Sequence, residues 1–512
     1  MASSSSLQAR RGQLWAYALA IFFSSAGLMA LELAAARLLA PYIGVSLYSW
    51  TAIIGVILGG ISLGNWLGGM WADRGAREFA LGWMLGAGAL SCIAVLLLLT
   101  LVAPWLQNSE LGLLSVSFIF VALLFLLPSV LLGVVTPLLI TLALRLDTRT
   151  GHIVGMMHAL AAFGSIAGTF VTGYVLIQYL GTQAVILGIA ALLAVLALWF
   201  LGRAWKSLAS LCVAAALLMG VTAQRNGLAK FCDRETNYFC IQVIDLSDQV
   251  PFGEVRGMVL DHLMHGINHR EYPAVLLSPY VQLMDEFITL QAQTIQRPLR
   301  SFFAGGGAYT QPRALRTRYP QAEIVIAELD PAVTEVARQR LYYQGEGDRV
   351  VHSDARRVLA REREGYYDVI VGDVFHDIAI PYHLVTEEYA RLVRSRLTQD
   401  GLYVLNAVDA HPDPRLVKSI VKTLEQVFPR VQVWLESWPA QAARLTYVVV
   451  AGGAELPERH YQSRFGINRE WLEVSEFLAR TGTGYAALPV LTDNYAPVER
   501  LLSSLIFGEL GR

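Results

Sequence analysis

Seven stretches of the chain are each apolar over about 20 residues, the length that a helix needs to cross a bilayer. They lie near residues 14–40, 47–72, 79–103, 113–143, 152–178, 182–202 and 205–222. The 210 positions from Gln13 to Thr222 hold 12 charged residues, whereas the 290 positions from Ala223 to Arg512 hold 67. The sequence therefore predicts an N-terminal tail, 1–12, a multi-pass α-helical membrane domain, 13–222, and a water-soluble half.

Positive charges occupy every other connection between the apolar stretches. They are Arg10, Arg11, Arg74, Arg77, Arg145, Arg149, Arg203 and Lys206. The intervening connections, 41–46, 104–112 and 179–181, hold no Lys or Arg. Because positive charge concentrates in cytoplasmic loops, we predict a plasma (cell inner) membrane protein with a cytoplasmic N-terminus. Seven spans would put the soluble half outside the cytoplasm, and omission of the short seventh stretch would put it inside.

Glycines recur at helix-packing spacing in the second and fifth stretches. They are Gly55, Gly59, Gly60, Gly64, Gly68 and Gly69, and Gly151, Gly155, Gly164, Gly168 and Gly173. Small residues let helix backbones approach closely in lipid, so we interpret them as packing positions rather than as a transport path.

Two ions, Glu32 and Arg37, lie inside the first stretch. An ion within a membrane is costly and normally faces a partner or a cavity. Five residues apart, the two do not share one helix face. Two interpretations of Glu32 and Arg37 remain open. They could anchor the helix near the membrane surface, or they could have a functional role.

Composition excludes two kinds of site in the soluble half. It carries 31 Lys and Arg against 36 Asp and Glu, with no basic run, which argues against a nucleic-acid partner. Four cysteines are too few for a disulfide scaffold or a cysteine metal cluster. Cys232 and Cys240 flank a polar stretch and could pair in an oxidising compartment.

Strand and helix patterns alternate in the soluble half. Residues 231–259 show short strands that predict a small β-hairpin layer, and a helical pattern covers 280–296, both within a first part at 223–297. Strand-helix units then follow in "LRSFFAGGGAYTQPRAL", "AEIVIAELDPAVTEVARQRL", "DRVVHSDARRVLARE" and "YYDVIVGDVFHD". This alternation predicts an α/β domain over 298–512, with a Rossmann-like parallel sheet of the class I methyltransferase type.

Glycines and acids follow the ends of successive predicted strands, where open parallel sheets bind ligands. Gly305–Gly307 come after the first strand and permit a tight turn with close backbone approach. Glu328 ends the second strand and is placed to accept hydrogen bonds from two ribose hydroxyls. Asp354, after the third, could accept an adenine amino group, and Asp373, after the fourth, faces the reaction centre.

Five segments resemble the spermidine synthase (aminopropyltransferase) family, in order between residues 302 and 406. They are "FFAGGGAYTQPRAL", "VIAELDPAVTEVA", "VVHSDARRVL", "YYDVIVGDVFHDIAIPYHLVTEEYARLV" and "LTQDGLYVLN". Upstream, "MVLDHLMHG" and "SPYVQLM" resemble that family's LDGxxQ and YHE elements. The first two apolar stretches are similar to the membrane region of bacterial fused transmembrane spermidine synthase-like proteins.

The resemblance implies an enzyme that transfers an aminopropyl group from decarboxylated S-adenosylmethionine to an amine such as putrescine, and releases methylthioadenosine. The sulfonium nucleoside would be a co-substrate, with no tightly bound cofactor and no metal. On matching positions, Gly305–Gly307 would cradle the nucleoside, Glu328 would hold the ribose, and Asp354 with Ala355 would hold the adenine. Asp373 would be the catalytic acid that takes a proton from the attacking amine or orients it. The soluble members are oligomers, which implies a homo-oligomer here.

The amine side of the implied site departs from the family pattern. The implied substrate-binding residues are Asp261, His265, Tyr280, His376 and Asp377. Ala308 stands where the family has the Asp that binds the aminopropyl nitrogen, and His265 replaces a Gln. The nucleoside half is thus retained, while several amine-anchoring groups are replaced. We interpret the histidines as polar groups lining the site rather than as metal ligands.

Two other functions remain open. An S-adenosylmethionine-dependent methyltransferase would share the sheet and the nucleoside contacts, and Ala308 favours it. A transporter or sensor that binds polyamine or nucleoside without catalysis would suit an extracytoplasmic domain, but the retention of Asp373 argues against it.

Overall fold

The computed structural model describes residues 2–75, 77–107, 113–147, 149–202, 204–374, 380–453 and 460–503, and only the backbone of residues 2–9, 107 and 113. The chain divides into two compact units, Met1–Phe239 and Cys240–Arg512. The predicted end of the membrane domain at residue 222 falls inside the last long helix of the first unit.

Long helices build the first unit. They are α1 Ala2–Ile43, α2 Leu47–Asp73, α3 Glu78–Gln107, α4 Leu113–Leu144, α5 Thr150–Val171, α6 Ile177–Leu180, α7 Thr182–Leu201 and α8 Trp205–Gln224. A π-helical turn, Thr172–Leu176, joins α5 to α6, and a short strand, β1, covers Arg234–Glu235. Counting α5 and α6 as one, the described part of the chain has seven helices long and apolar enough to cross a membrane, which confirms the seven predicted helices.

Glycines in α2 and α5 lie where a neighbouring helix backbone leaves no room for a side chain. A Cβ added to Gly64 would lie 2.2 Å from the carbonyl oxygen of Val130 in α4. One added to Gly164 would lie 2.1 Å from the carbonyl oxygen of Phe22 in α1. The packing interpretation is confirmed for these positions. At five other glycines no atom of the described residues lies within 4 Å of an added Cβ, so packing stays a prediction there; they are Gly55, Gly59, Gly69, Gly151 and Gly155.

The second unit begins with an antiparallel sheet. Its strands are β2 Cys240–Asp245, β3 Val255–Leu260 and β4 Leu263–His269, with β3 paired to both neighbours. This sheet confirms the predicted hairpin layer. Helix α9, Pro279–Gln293, follows and has proline at its first position, where the missing N–H costs no hydrogen bond.

A large mixed sheet forms the rest of the unit. Its strands are β5 Arg300–Ala304, β6 Glu323–Glu328, β7 Arg349–His352, β8 Tyr367–Gly372, β9 Leu397–His411, β10 Arg430–Leu435, β11 Ala443–Gly452, β12 His460–Gln462 and β13 Glu470–Glu473. The helices are α10 Thr310–Arg318, α11 Pro331–Arg340, α12 Ala355–Leu359, α13 Glu387–Arg396, α14 Arg415–Leu424, α15 Ser475–Arg480 and α16 Val498–Leu501.

The strand order of this sheet is β12-β13-β10-β11-β9-β8-β5-β6-β7. The strands from β9 to β7 in that order are parallel, as predicted. The prediction of an entirely parallel sheet is wrong, because β11 is antiparallel to both β9 and β10. The connection between β10 and β11 covers only 436–442, and parallel neighbours need a crossover of a dozen or more residues.

Candidate active site

The glycine loop joins β5 to α10 at the carboxyl edge of the parallel strands. Gly305 and Gly307 have φ angles of +89° and +50°, a region that disfavours side chains. A Cβ on Gly305 would lie 2.2 Å from the carbonyl oxygen of Asp373, and one on Gly307 would lie 2.8 Å from the carbonyl oxygen of His265. The loop therefore passes tightly between the end of β8 and strand β4, as the glycine pattern predicts.

Glu328 ends β6 and ties the glycine loop to that strand. Its Oε2 accepts the N–H of Gly306 at 2.9 Å, and its Oε1 accepts the N–H of Asp330 at 2.9 Å. Burial raises the pKa of Glu328, while these backbone donors favour its charged form. Because a carboxylate offers about four lone-pair sites, Glu328 retains acceptor capacity for ribose hydroxyls beside the loop.

Asp354 follows β7 and caps helix α12, whose first residue is the buried Ala355. Its Oδ1 accepts the N–H of Arg357 at 3.0 Å, and its Oδ2 lies 2.7 Å from Nε2 of His383. The hydrogen bond with His383 lowers the pKa of Asp354. The sequence did not indicate this pairing, because the two residues are 29 positions apart on different elements.

Asp373 lies at the end of β8, beside the glycine loop. Its N–H donates to the carbonyl oxygen of Ala304 at 3.1 Å, and its Oδ1 accepts the side-chain N–H of Asn406 at 3.0 Å. Burial raises the pKa of Asp373 to about 6, and the Asn406 hydrogen bond opposes that rise. Burial, together with the charge of Asp373, raises the pKa of Tyr280 well above its ordinary value. Sequence reasoning missed Asn406, although it ends the quoted segment "LTQDGLYVLN".

A small cavity brings several predicted residues together. Its lining includes His265, Gly305, Gly306, Thr310, Gln311 and Asp373. A carboxylate, a histidine and the backbone of a glycine loop thus line one partly open cavity of about 10 Å³. Such an arrangement can accept a proton from a nucleophile next to a bound nucleoside.

Other predicted residues lie elsewhere. Asp261 is buried between strands, where its Oδ1 accepts the N–H of Cys240 at 2.9 Å, and it does not line the cavity. Ala308 is also buried, and its carbonyl oxygen accepts a hydrogen bond from Asn268 at 2.8 Å. His376 and Asp377 lie outside the described residues.

Part of the chain is similar in sequence to known proteins. Residues 294–458 match the Spermine/spermidine synthase domain family. The Polyamine aminopropyltransferase of Vibrio vulnificus is 33% identical over 114 residues, which cover 22% of this chain and only 38% of that relative. The Polyamine aminopropyltransferase 1 of Streptomyces coelicolor is 25% identical over 453 residues, which cover 81% of this chain and 80% of that protein.

A methyltransferase also matches part of the chain. The eEF1A lysine and N-terminal methyltransferase of Mus musculus is 30% identical over 149 residues, which cover 27% of this chain and 21% of that protein. The parallel strands and their carboxyl edge define a Rossmann-like domain. Within it, residues 294–458 are similar to the Spermine/spermidine synthase domain, and the chain is similar to the two polyamine aminopropyltransferases.

Proposed function

We propose that the chain is a membrane-bound aminopropyltransferase that uses decarboxylated S-adenosylmethionine and an amine such as putrescine. The observation that carries the proposal is Asp373, a carboxylate with a pKa of about 6 on the cavity beside the glycine loop. The match of residues 294–458 to the Spermine/spermidine synthase domain supports it.

The proposed reaction is a single displacement. The neutral amine nitrogen attacks the aminopropyl carbon bound to the sulfonium, so that a C–N bond forms and the C–S bond breaks. The bonding pair goes to sulfur, which leaves as the thioether of methylthioadenosine. The nitrogen gives up a proton to the ionised Asp373. A free alkylamine resembles Lys, with a pKa of about 10.4, so a nearby carboxylate that accepts this proton assists the attack.

The nucleoside contacts follow from the carboxyl edge of the sheet. We propose that Gly305–Gly307 cradle the sulfonium side, that Glu328 holds the ribose, and that Asp354 with the backbone of Ala355 holds the adenine. His383 keeps Asp354 ionised and oriented, since it lies 2.7 Å from Oδ2. The remaining lone pairs of that carboxylate would accept the adenine amino group.

The amine contacts are proposed for residues near Asp373. His265 lines the same cavity as Asp373, and Tyr280 lies close enough for the Asp373 charge to raise its pKa. His376 and Asp377 remain predictions for the same role. Asp261 is a weaker candidate, because its carboxylate holds the backbone of Cys240.

Ligand preference of the purified protein tests the proposal. Thermal-shift titrations would compare methylthioadenosine, S-adenosylmethionine and its decarboxylated form, each with and without putrescine, because a bound ligand raises the melting temperature. We expect preference for the decarboxylated donor, and methylthioadenosine release when an amine is added. Preference for S-adenosylmethionine would support the methyltransferase alternative, which the Mus musculus relative and the buried Ala308 favour. Absence of nucleoside binding would contradict both enzymes and favour a polyamine-binding transporter or sensor.

We further propose that the seven long helices span the plasma membrane with the N-terminus in the cytoplasm. The alternating loop charges support this orientation, and an odd number of spans then puts residues 240–512 outside the cytoplasm. Protease added outside intact spheroplasts should then cleave that half. Complete protection would contradict the orientation.

The pH dependence of turnover offers a test of the Asp373 environment. Asp373 must be ionised to accept a proton, so kcat/KM should fall as the pH drops through about 6. Asn406→Ala removes a hydrogen bond that favours the charged carboxylate, so the acidic limb should move to higher pH. Methylthioadenosine affinity at pH 8 serves as the control and should stay unchanged. An acidic limb that remains in place would contradict the contact.

A further inference from the structure

A second cavity, of about 300 Å³, lies in the first unit, at the end opposite to its N-terminus. Its walls come from the last turns of α1, from α3, from the first turn of α7 and from the segment that follows α8. The proposed transferase reaction does not use this cavity.

Three cations line the cavity. Arg37 is fixed, because its guanidinium donates to the carbonyl oxygens of Tyr238 at 2.8 Å and Thr236 at 2.6 Å. The side chains of Arg225 and Lys230 make no hydrogen bond or ion pair with any residue that the structure describes. Two cationic groups therefore face the cavity without a counter-ion from the described protein.

Among the described residues of the lining, the one acid is already engaged. Glu235 accepts hydrogen bonds from the backbone N–H of Thr182 at 2.9 Å and from its hydroxyl at 2.5 Å. The connections at this end, 41–46, 104–112 and 179–181, hold no Lys or Arg. Positive charge at this end of the helices is thus concentrated around the cavity, and the lining favours an anion.

Part of the cavity wall is apolar. It includes Leu38, Leu99 and Phe231, and the ring of Phe231 lies 5.2 Å from that of Tyr42. A small inorganic anion would leave this wall without a partner, whereas an anion that carries a hydrocarbon chain would cover it. The cavity therefore has the two surfaces that an anionic amphiphile requires.

We propose that this cavity binds an acidic phospholipid, with the headgroup phosphate between Arg225 and Lys230 and an acyl chain along the apolar wall. Lys and Arg form charge-assisted hydrogen bonds with phosphate oxygens. The inference rests on the membrane placement proposed above and is independent of the transferase activity.

Lipid retention by the full-length protein tests the inference. The protein is reconstituted in vesicles of phosphatidylcholine with a minor fraction of phosphatidylglycerol, extracted into detergent, and its retained lipids are counted by mass spectrometry. We expect enrichment of phosphatidylglycerol in the wild type. The double variant Arg225→Gln/Lys230→Gln should retain on the order of tenfold less, because it removes both charge-assisted hydrogen bonds to the phosphate. Lys206→Gln, at the opposite end of α8, is the matched control and should retain the wild-type amount.

Several outcomes would overturn the inference. They are equal retention of phosphatidylglycerol by the wild type and the double variant, equal retention of the two lipids by the wild type, and displacement of the lipid by glycerol 1-phosphate at lipid-like concentration. The last would identify a site for a free phosphate. Vesicle flotation of the wild type is measured first, because a protein that does not float would refute the membrane placement itself. Methylthioadenosine release from the same sample reports separately on the transferase.

Discussion

Replacement of Asp373 by Asn is expected to lower kcat by about 10²–10⁴-fold, the usual contribution of a positioned acid or base. Asn can still accept the hydrogen bond of Asn406 through its carbonyl oxygen, but it cannot take a proton from the amine. Methylthioadenosine should bind nearly as well as to the wild type, because the proposed nucleoside contacts lie on other strands. Single-turnover release of methylthioadenosine measures the chemical step, and titration measures the binding.

Two controls make the Asp373 result interpretable. Asp400→Asn removes an exposed acid from β9, the same strand that carries Asn406, and should leave kcat unchanged. The stability of Asp373→Asn should rise at pH 8, because a carboxylate whose folded pKa of about 6 exceeds its ordinary 3.8 destabilises the fold when ionised. That gain, up to about 3 kcal/mol, should decline as the pH falls from 6 towards 4. Turnover within twofold of wild type would contradict the catalytic role.

Glu328→Gln is expected to weaken methylthioadenosine binding by about 1.5–3 kcal/mol for each charged hydrogen bond lost. The ribose would lose a carboxylate acceptor, and the Gly306 N–H that donates to Glu328 Oε2 would lose a charged partner as well. Isothermal titration of the variant and the wild type measures the difference.

Comparison of two ligands separates a ribose contact from a general disturbance of the loop. Adenine alone has no ribose, so its affinity should be nearly the same for Glu328→Gln and the wild type. Glu335→Gln, an exposed residue of α11, is the matched substitution and should change neither affinity. An equal loss for both ligands would mean that Glu328 acts by holding the glycine loop, and unchanged methylthioadenosine affinity would reject the ribose contact.

Much of the fold could be predicted from local patterns along the chain. The length of the apolar stretches predicts the seven long helices, because a helix in lipid satisfies its backbone hydrogen bonds within its own segment. The run Gly305–Gly307 indicates a tight loop, since positive φ angles and close backbone approach are properties of the residue type itself. Glu328 and Asp373 could be placed at one edge because neighbouring parallel strands all end on the same side of a sheet.

Tertiary structure decided which side chains meet. Asn406 reaches Asp373 only because β9 lies beside β8, and His383 reaches Asp354 across 29 positions. Asp261 shares a motif with site residues, yet backbone pairing of β2 with β3 turns it towards Cys240. No local sequence pattern predicts that these pairs of residues lie within hydrogen-bond distance.

The first unit and the antiparallel part of the sheet also separate what local patterns predict from what contacts between elements decide. Glycine spacing predicts that helices pack closely, but only the arrangement of α1, α2, α4 and α5 decides that Gly64 and Gly164 are covered while Gly59 is open. The antiparallel strand β11 and the cavity around Arg225 likewise arise from segments that are distant in sequence. Local patterns along the chain specify the helices and strands, because the hydrogen bonds and periodicity of these elements are local. The contacts between elements were decided by the packing of the whole chain, because they depend on burial and charge supplied by residues far along it.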